Sequence, residues 1–402
     1  MRVLRLCSVY ETPPEALTRT GGFDAIGGMQ VHTARLTAGL DALGVEQTVI
    51  TAYRPAAPRV QNVGDRSRVV RAGVPVRRFR QLYGVAAVPE VARAGGVDIV
   101  HVHLGEDLAI VPLARWAAWR SRAPLVVTVH CSMAHTLVRH DVRSAMLRAV
   151  GGPTQTRLLR SASAVLVLSD HLADRLVASG IPRSRVRAVP LGIDLGEDGP
   201  LPRPASMDGR RWVVYAGRLV REKGVRELVA AFGMLPASDV GLLIVGDGPD
   251  RASLEAAAQG LAEADRIRFV GAVRHADVRP YLQHADLVVV PSWYEERGRI
   301  LLEAMATGTP VVAARTGGIP ATVRHGVNGL LVPPRVPERL AAAIDRLLGD
   351  HRLAGSMGAA GRMMASGHGI GALADATLAA YEVELGRAAE RRPAPVRSMS
   401  AP

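Results

Sequence analysis

The chain has 402 residues, which is too long for one ordinary hydrophobic core and predicts two domains. Hydrophobic residues make up 48% of it, yet no apolar run approaches the roughly 18 to 20 residues that a membrane span needs. The formal net charge of +13 suggests binding to nucleic acid or to an anionic membrane. Aromatic residues make up only 4% of the chain, however, which is too few for base-stacking platforms. We therefore expect no nucleic-acid partner.

Two cysteines, Cys7 and Cys131, lie far apart inside apparent strands. The first residues, 1–8, have the pattern of a short strand and not that of a secretory signal. Both features favour a reduced, cytoplasmic setting.

Apolar strands alternate with helical sequence through the first half of the chain. The strand patterns cover 3–8, 47–52, 99–103, 125–130 and 164–169, with an Arg- and Val-rich hairpin region at 60–79. This alternation predicts a parallel sheet with helices on both faces, a Rossmann-like domain. The loop after the first strand ends at Gly27 and Gly28 before a helix over 29–43, a layout that can present backbone N–H groups to phosphate.

Three histidines lie at or near strand ends in this half. His101 and His103 share one face of a strand, which suggests a metal site. Because no third ligand follows at a matching spacing, we expect no metal. His130 ends a strand and faces the edge where parallel sheets bind ligands, so a ligand contact and a buried core histidine both stay open. Cys131 points to the opposite face, which excludes a Cys–His nucleophile pair.

Glu106 and Asp107 follow the strand 99–103 at the same edge of the sheet. Carboxylates there would attract a cationic substrate. The alternative is that they cap the N-terminus of a helix over 108–119, where acidic residues are favoured.

A segment rich in Gly, Pro and acidic residues, 196–209, reads as a linker. It separates a first domain over 1–195 from a second over 210–370. A last helix over 371–390 and a Pro-, Ser- and Arg-rich tail over 391–402, expected to be disordered, complete the chain.

The second domain opens with a strand, a loop bounded by glycines and a helix. Arg218 and Lys223 lie in that loop, and Lys223 is the only lysine among the 50 basic residues of the chain. Because arginine supplies every other positive charge, this position is predicted to require a compact ammonium group. Gly246 and Gly248 form a second glycine turn at the end of the next strand.

A strand–loop–helix–strand unit over 287–318 combines two carboxylates with a helix N-terminus. Arg297 and Gly298 begin the helix, whose free N–H groups and dipole favour an anion. Glu295 in the loop and Glu303 in the helix flank that corner. As isolated residues they would be surface charges, but the surrounding strand, helix and glycines favour a binding site.

This unit resembles the donor-sugar site of the GT4 family, retaining nucleotide-sugar glycosyltransferases of the GT-B architecture. The family signature of two glutamates separated by seven residues and followed by Gly-Gly is met by Glu295, Glu303 and Gly317-Gly318. The resemblance implies an α/β fold of two Rossmann-like parallel-sheet domains facing each other across a cleft, with the last helix returning to the first domain. The chain departs from the usual pattern at Glu296-Arg297 and at Ala321.

The resemblance also implies residue roles. Arg218 and Lys223 would bind the donor diphosphate, and His130 the donor sugar or its phosphate. Glu295 would hold hydroxyls of the transferred sugar, and Glu303 those of the ribose. The other donor-binding positions lie in glycine loops and at the helix start: Gly27, Gly28, Gly246, Gly248, Arg297 and Gly298.

Two short stretches, F-D-A-I-G-G-M-Q at 23–30 and V-H-C-S at 129–132, are similar to aminocyclitol glycosyltransferases of the 2-deoxystreptamine antibiotic pathways. This implies transfer of a hexose or N-acetylhexosamine from a UDP-sugar to a hydroxyl of a small polar aminocyclitol, attracted by Glu106 and Asp107. Transfer would retain the anomeric configuration and need neither a metal nor another cofactor, because no Asp-x-Asp follows a strand.

Two alternatives stay open. A GT4 enzyme could act on a membrane lipid or cell-wall acceptor, with the basic surface making a weak peripheral membrane contact. A remote alternative is a basic protein that binds nucleic acid.

Overall fold

The structure is a computed structural model that describes residues 1–11, 28–53, 57–73, 83–105, 107–134, 147–196, 199–207, 209–236, 238–296 and 298–390. Three of the predicted site residues, Gly27, Glu106 and Arg297, lie outside the described residues, as does the predicted tail over 391–402.

Eight strands form the first sheet, in the order β3-β4-β2-β1-β5-β6-β7-β8. Their bounds are β1 (Arg2–Cys7), β2 (Glu46–Ala52), β3 (Val60–Val63), β4 (Ser67–Ala72), β5 (Ile99–Leu104), β6 (Leu125–Val129), β7 (Ala164–Val167) and β8 (Val186–Ala188). Every pairing is parallel except the β3–β4 hairpin. The central strands are buried Val, Ile and Leu runs because helices cover both faces of the sheet.

The helices of this half alternate with the strands along the chain. They are α1 (Gly28–Ala42), α2 (Tyr83–Ala86), α3 (Val88–Arg93), α4 (Ile110–Ser121), α5 (Gly152–Ser161), which follows a π-helical turn over Leu147–Gly151, and α6 (Asp170–Ala178). A 3-10 turn over Arg183–Arg185 precedes β8. Ser169 caps α6, its hydroxyl accepting a hydrogen bond from the Leu172 amide at 3.1 Å.

Six strands form the second sheet, in the order β11-β10-β9-β12-β13-β14 and all parallel. Their bounds are β9 (Arg211–Ala216), β10 (Val240–Val245), β11 (Ile267–Gly271), β12 (Leu287–Val290), β13 (Val311–Ala314) and β14 (Leu330–Val332). The helices are α7 (Val225–Phe232), α8 (Arg251–Gln259), α9 (Arg279–Gln283), α10 (Arg299–Ala306), α11 (Ile319–Thr322), α12 (Pro337–Gly349), α13 (His351–Ser366) and α14 (Ile370–Glu390), with 3-10 turns over Arg221–Lys223, Ala264–Arg266 and His275–Asp277.

The segment before β12 is not one continuous helix. A 3-10 turn over His275–Asp277 comes first, and the short helix α9 begins only at Arg279. Pro280 lies in the first turn of α9. Proline has no N–H to donate and clashes with a preceding helical turn, so the helix restarts there.

The strand order locates the ligand-binding edge of each sheet. In the first sheet the order reverses at β1 and β5, and in the second at β9 and β12. A crevice opens outside the carboxyl ends of the strands at such a reversal. The loops that follow β9 and β12 are those that carry Arg218, Lys223 and Glu295.

The last helix joins the two halves. α14 packs against α1, and the hydroxyl of Tyr381 lies 2.6 Å from Nδ1 of His101 on β5. The chain is thus an α/β protein of two Rossmann-like parallel-sheet domains facing each other across a cleft, which confirms the predicted GT-B fold class. Among the helices of the described chain, none has an apolar run of the length that a bilayer crossing requires.

Candidate active site

Loops from several strands of the second sheet converge at its carboxyl edge. The Leu219 amide donates to the Asp247 carbonyl at 2.9 Å, which joins the loop after β9 to the loop after β10. The Trp293 amide donates to the Glu222 carbonyl at 2.8 Å, and this bond joins the loop after β9 to the loop after β12. Because backbone bonds fix the loops to one another, the side chains they carry are held at one corner of the cleft.

Lys223 and Glu295 meet at this corner. The ammonium of Lys223 forms an ion pair with Oε2 of Glu295, and both side chains are about four-fifths buried, with exposed fractions of 21% and 19%. Arg218 is exposed at the other end of the same loop. The structure therefore places both predicted cations and one predicted carboxylate on two connected loops.

Tyr215 supports this loop from below. Its hydroxyl donates to the Arg218 carbonyl at 2.8 Å. Burial, together with the nearby Glu295 carboxylate, raises the pKa of Tyr215 far above its usual value. The hydroxyl therefore stays protonated and continues to donate its hydrogen bond to the Arg218 carbonyl.

The two glycines after β10 are required by packing. A Cβ atom on Gly246, whose φ is +141°, would lie 1.8 Å from the Gly217 carbonyl oxygen. A Cβ on Gly248 would lie 2.1 Å from the Leu219 carbonyl oxygen. Both glycines thus allow the loop of Arg218 to approach closely, and their contact with a donor stays a prediction.

Glu303 is buried among three basic side chains. Its Oε1 lies 3.1 Å from Nε2 of His275, and ion pairs at 3.4 Å and 3.7 Å join it to Arg299 and Arg35. Burial would raise the pKa of this carboxyl, but the hydrogen bond from His275 and the charges of the two arginines bring it below its usual value. Glu303 is therefore ionised, and all three of these contacts meet its Oε1.

The Arg35 contact crosses the cleft, because Arg35 belongs to α1 of the first domain. A second contact between the domains runs from the Ser169 hydroxyl to Oε1 of Glu296 at 3.0 Å. Gly298, at φ +57°, precedes α10 and turns the chain into the helix that carries Glu303. The loop after β12 thus takes part in both the corner of Lys223 and Glu295 and the domain interface.

His130 follows β6 and is 5% exposed. Its Nε2 lies 3.0 Å from Nδ1 of His103, and the ring of His32 from α1 packs edge-on against it with 4.8 Å between ring centres. Each of the three histidines offers a ring nitrogen within 4.8 Å of the others. Sequence spacing could not reveal His32 as a third histidine near His103, because the fold brings it there from a separate helix.

Arg5 lies beneath these histidines and is fully buried. One guanidinium nitrogen lies 2.8 Å from Nε2 of His103. The other recorded acceptors of Arg5 are neutral: Thr37 Oγ1 at 2.7 Å, Gln47 Oε1 at 3.0 Å and the Thr33 carbonyl at 3.3 Å. Arg5 is a site residue that the sequence patterns above do not single out, although a charged residue within an apolar central strand is a visible signal.

Asp107 is 7% exposed, and its Oδ1 accepts a hydrogen bond from the Ala109 amide at 2.9 Å just before α4. Burial raises the pKa of this carboxyl to about 6. The structure thus gives Asp107 a position at the start of a helix, one of the two readings left open by the sequence. A contact with an acceptor stays a prediction, as does the donor contact of Gly28, which opens α1.

Comparisons with known proteins agree with this arrangement. A family model described as "Glycosyltransferase Family 4" matches residues 26–197, and one described as "Glycosyl transferases group 1" matches residues 202–364. The chain is 32% identical over 381 residues to the 2-deoxystreptamine N-acetyl-D-glucosaminyltransferase of Streptomyces fradiae, covering 87% of this chain and 88% of that one. It is 32% identical over 390 residues to the 2-deoxystreptamine glucosyltransferase of Streptomyces kanamyceticus, covering 89% and 100%.

Solved structures show the same architecture. Sucrose-phosphate synthase from Thermosynechococcus elongatus matches with a TM-score of 0.77 at 25% identity, covering 96% of this chain and 100% of that one. Anabaena HepE in complex with UDP matches with a TM-score of 0.71 at 20% identity, covering 95% and 100%. The matches span both domains and the cleft between them, and the chain is a glycosyltransferase that belongs to the GT4 family.

Proposed function

We propose that this enzyme transfers a hexose or N-acetylhexosamine from a UDP-sugar to a hydroxyl of a small aminocyclitol such as 2-deoxystreptamine. The names of the two 2-deoxystreptamine transferases specify a glucosyl and an N-acetyl-D-glucosaminyl group, which supports glucose or N-acetylglucosamine as the sugar transferred here. The UDP complex of HepE supports a UDP-sugar on fold likeness alone.

The observation that carries the proposal is the corner formed by Arg218, Lys223 and Glu295. Breaking the bond between sugar and phosphate builds negative charge on the leaving diphosphate. Lys223 supplies a compact ammonium and Arg218 a planar guanidinium from one fixed loop, and both stabilise that charge. Glu295 approaches the same place from the second loop and binds hydroxyls of the transferred sugar.

We propose that transfer retains the anomeric configuration through attack on the face from which the diphosphate leaves. Glu303 is held ionised by His275 and two arginines, so it has no proton to give to a leaving group. A glycosidase-type pair of carboxyl groups must flank the bond that breaks, with one of them protonated. Glu295 and Glu303 are therefore assigned to binding, Glu295 to hydroxyls of the transferred sugar and Glu303 to those of the ribose.

We propose that the reaction needs no metal. Arg218, Lys223 and the helix N-terminus at Gly298 supply the positive charge at the diphosphate. The His32, His103 and His130 group is ill-suited to an ion, because the Arg5 guanidinium donates to Nε2 of His103. The ring proton of His103 then lies on Nδ1, so neither of its nitrogens offers a lone pair to an ion.

For the acceptor, we propose that an aminocyclitol enters beside Asp107 in the first domain, with Glu106 as the second carboxylate that the sequence predicts. Its ammonium groups are attracted by negative charge at the carboxyl edge of the sheet. The 32% identity to two transferases named for 2-deoxystreptamine, over nearly the whole chain, supports this class of acceptor over a lipid.

The test is mass spectrometry of products from the purified protein in EDTA with 2-deoxystreptamine and a mixture of UDP-glucose, UDP-N-acetylglucosamine and GDP-mannose. We expect one new mass, equal to the acceptor plus glucose or N-acetylglucosamine. Product that appears only after Mg²⁺ or Mn²⁺ is added would contradict the metal-independent reaction. Intact donors with this acceptor, followed by turnover of lipid acceptors in vesicles, would contradict the aminocyclitol assignment.

A further inference from the structure

Three buried side chains form a hydrogen-bonded row that ends at His130. Arg5 on β1 contacts Nε2 of His103 on β5 at 2.8 Å, and Nδ1 of His103 contacts Nε2 of His130 at 3.0 Å. Arg5 and His103 are fully buried, and His130 is 5% exposed. Each step lies within normal hydrogen-bond distance.

The chemistry of the row fixes where its protons are. A guanidinium has only donors, so Nε2 of His103 must accept and carries no proton. The single proton of neutral His103 is then on Nδ1, which donates to Nε2 of His130. Nε2 of His130 is therefore an acceptor as well, and the proton of that ring lies on Nδ1.

We propose that Arg5, acting through His103, holds His130 in one neutral form with its only ring proton on Nδ1. This inference rests on the proposed function, in which His130 meets the donor. Arg5 and His103 are positioning residues, since they act on the substrate only through His130.

The surroundings oppose any further positive charge in the row. Four groups face His103 from the packed elements: Arg5 on β1, His32 on α1, His101 on the same strand, and His130 after β6. Burial, followed by the influence of these neighbours, lowers the pKa of His103 well below its usual value. Protonation of either linked ring would also turn an acceptor into a donor and break the row.

The consequence for the reaction is specific. His130 meets a donor oxygen with a donated N–H and does not take a proton from the attacking hydroxyl at Nδ1. This fits a reaction in which the departing diphosphate, and not a histidine, receives the proton of the acceptor hydroxyl. The row therefore assigns His130 to binding and charge stabilisation.

The experiment is ¹⁵N NMR of histidine rings in full-length protein labelled at histidine, without substrate. Single His→Gln substitutions assign the signals. We expect His103 and His130 to be protonated on Nδ1 and bare on Nε2, with no change as the pH is lowered through about 6.5, where an ordinary histidine titrates. A wild-type His130 that is protonated on Nε2, or that becomes cationic near that pH, overturns the proposal.

Two substitutions at His103 sharpen the result. His103→Leu removes both bonds, so His130 should exchange between tautomers and take up a proton as the pH falls. His103→Gln supplies an amide oxygen for Arg5 and an amide N–H for His130, and should restore the Nδ1 tautomer. His101→Leu is the matched control: it lies on the same face of β5, equally buried, but bonds to Thr128 and Tyr381.

Kinetics separate this inference from the proposed function. His103→Leu should lower kcat about tenfold, the equivalent of one lost hydrogen bond, with acceptor KM unchanged and an acid limb added to the pH profile. His103→Gln should recover most of that loss. If NMR finds the predicted tautomer while His130→Ala keeps full activity, the row stands and the donor contact of His130 fails. An unchanged His130 tautomer in folded His103→Leu overturns the row.

Discussion

Lys223 and Glu295 form an ion pair between two loops that follow neighbouring strands of the second sheet. Lys223 is the only lysine of the chain, and it meets the carboxylate that the family signature assigns to the transferred sugar. The cation proposed for the diphosphate and the carboxylate proposed for the sugar are thus in contact with each other.

We expect Lys223→Ala to lower kcat by about a hundredfold to a thousandfold, the usual cost of removing a group that stabilises transition-state charge. Lys223→Arg keeps the charge but not the compact shape, so it should recover only part of the loss. Arg226→Ala, an exposed arginine on the following helix, is the control and should leave kcat unchanged. Steady-state kinetics with both substrates saturating measure kcat for each variant. A Lys223→Ala enzyme with the kcat of wild type would exclude stabilisation of the diphosphate charge by Lys223.

Glu303→Gln should act on donor binding. The substitution keeps the shape of the side chain but removes the charge that His275, Arg299 and Arg35 surround. We expect donor KM to rise about tenfold or more, with a smaller change in kcat, because the ribose is bound in ground state and transition state alike. Glu255→Gln, which removes an ion pair of α8 with Arg251, should leave donor KM unchanged. A selective loss of kcat would contradict the ribose assignment.

Asp107 should give the folded protein a characteristic pH dependence. Its pKa in the folded state is about 6, above the value near 3.9 of an unfolded aspartate, so folding favours the protonated form. Its contribution to stability is therefore full below about pH 4 and is lost as the pH rises towards 6.

Asp107→Asn cannot ionise and keeps an acceptor for the Ala109 amide. Relative to wild type it should gain about 3 kcal/mol of unfolding free energy well above pH 6, and the difference should vanish near pH 4. Denaturant titrations at several pH values measure this, with the exposed Asp345→Asn as the control. A difference that grows as the pH falls would have the wrong sign. The same variant tests the acceptor contact, which predicts a rise in acceptor KM with donor KM unchanged.

Gly246→Ala should be strongly destabilising. Its methyl group would overlap the Gly217 carbonyl, and its φ of +141° is rarely adopted by other residues. We expect a loss of about 3 kcal/mol or more, against roughly 0.5 or less for Gly260→Ala, whose Cβ would meet its nearest atom at 3.5 Å. Thermal unfolding compares the two, and equal stability would show that the loops do not pack as described.

Much of this fold could be predicted from the sequence because its signals are local. Apolar runs such as that of β12, together with the glycines that end them, predict strands and loops, and the unit around Glu295 and Glu303 predicts the donor corner. The break in the helical segment before β12 also has a local signal, Pro280.

The remaining features depend on contacts between distant segments. Arg35 reaches Glu303 from the other domain, and His32 reaches His130 from α1. Neither contact has a spacing that a single sequence displays. Arg5 differs from these residues because it has a local signal. A charged residue inside a central apolar strand predicts a buried polar partner, even when that partner cannot be named from the sequence.

The most direct test of the account is the stereochemistry of the product formed from UDP-glucose or UDP-N-acetylglucosamine and 2-deoxystreptamine. Both donors carry an α-linked sugar. The proton NMR spectrum of the purified product gives the coupling of its new anomeric proton. The account predicts the small coupling of an α-linkage, which means transfer with retention. The large coupling of a β-linkage would mean inversion and would contradict attack assisted by the departing diphosphate.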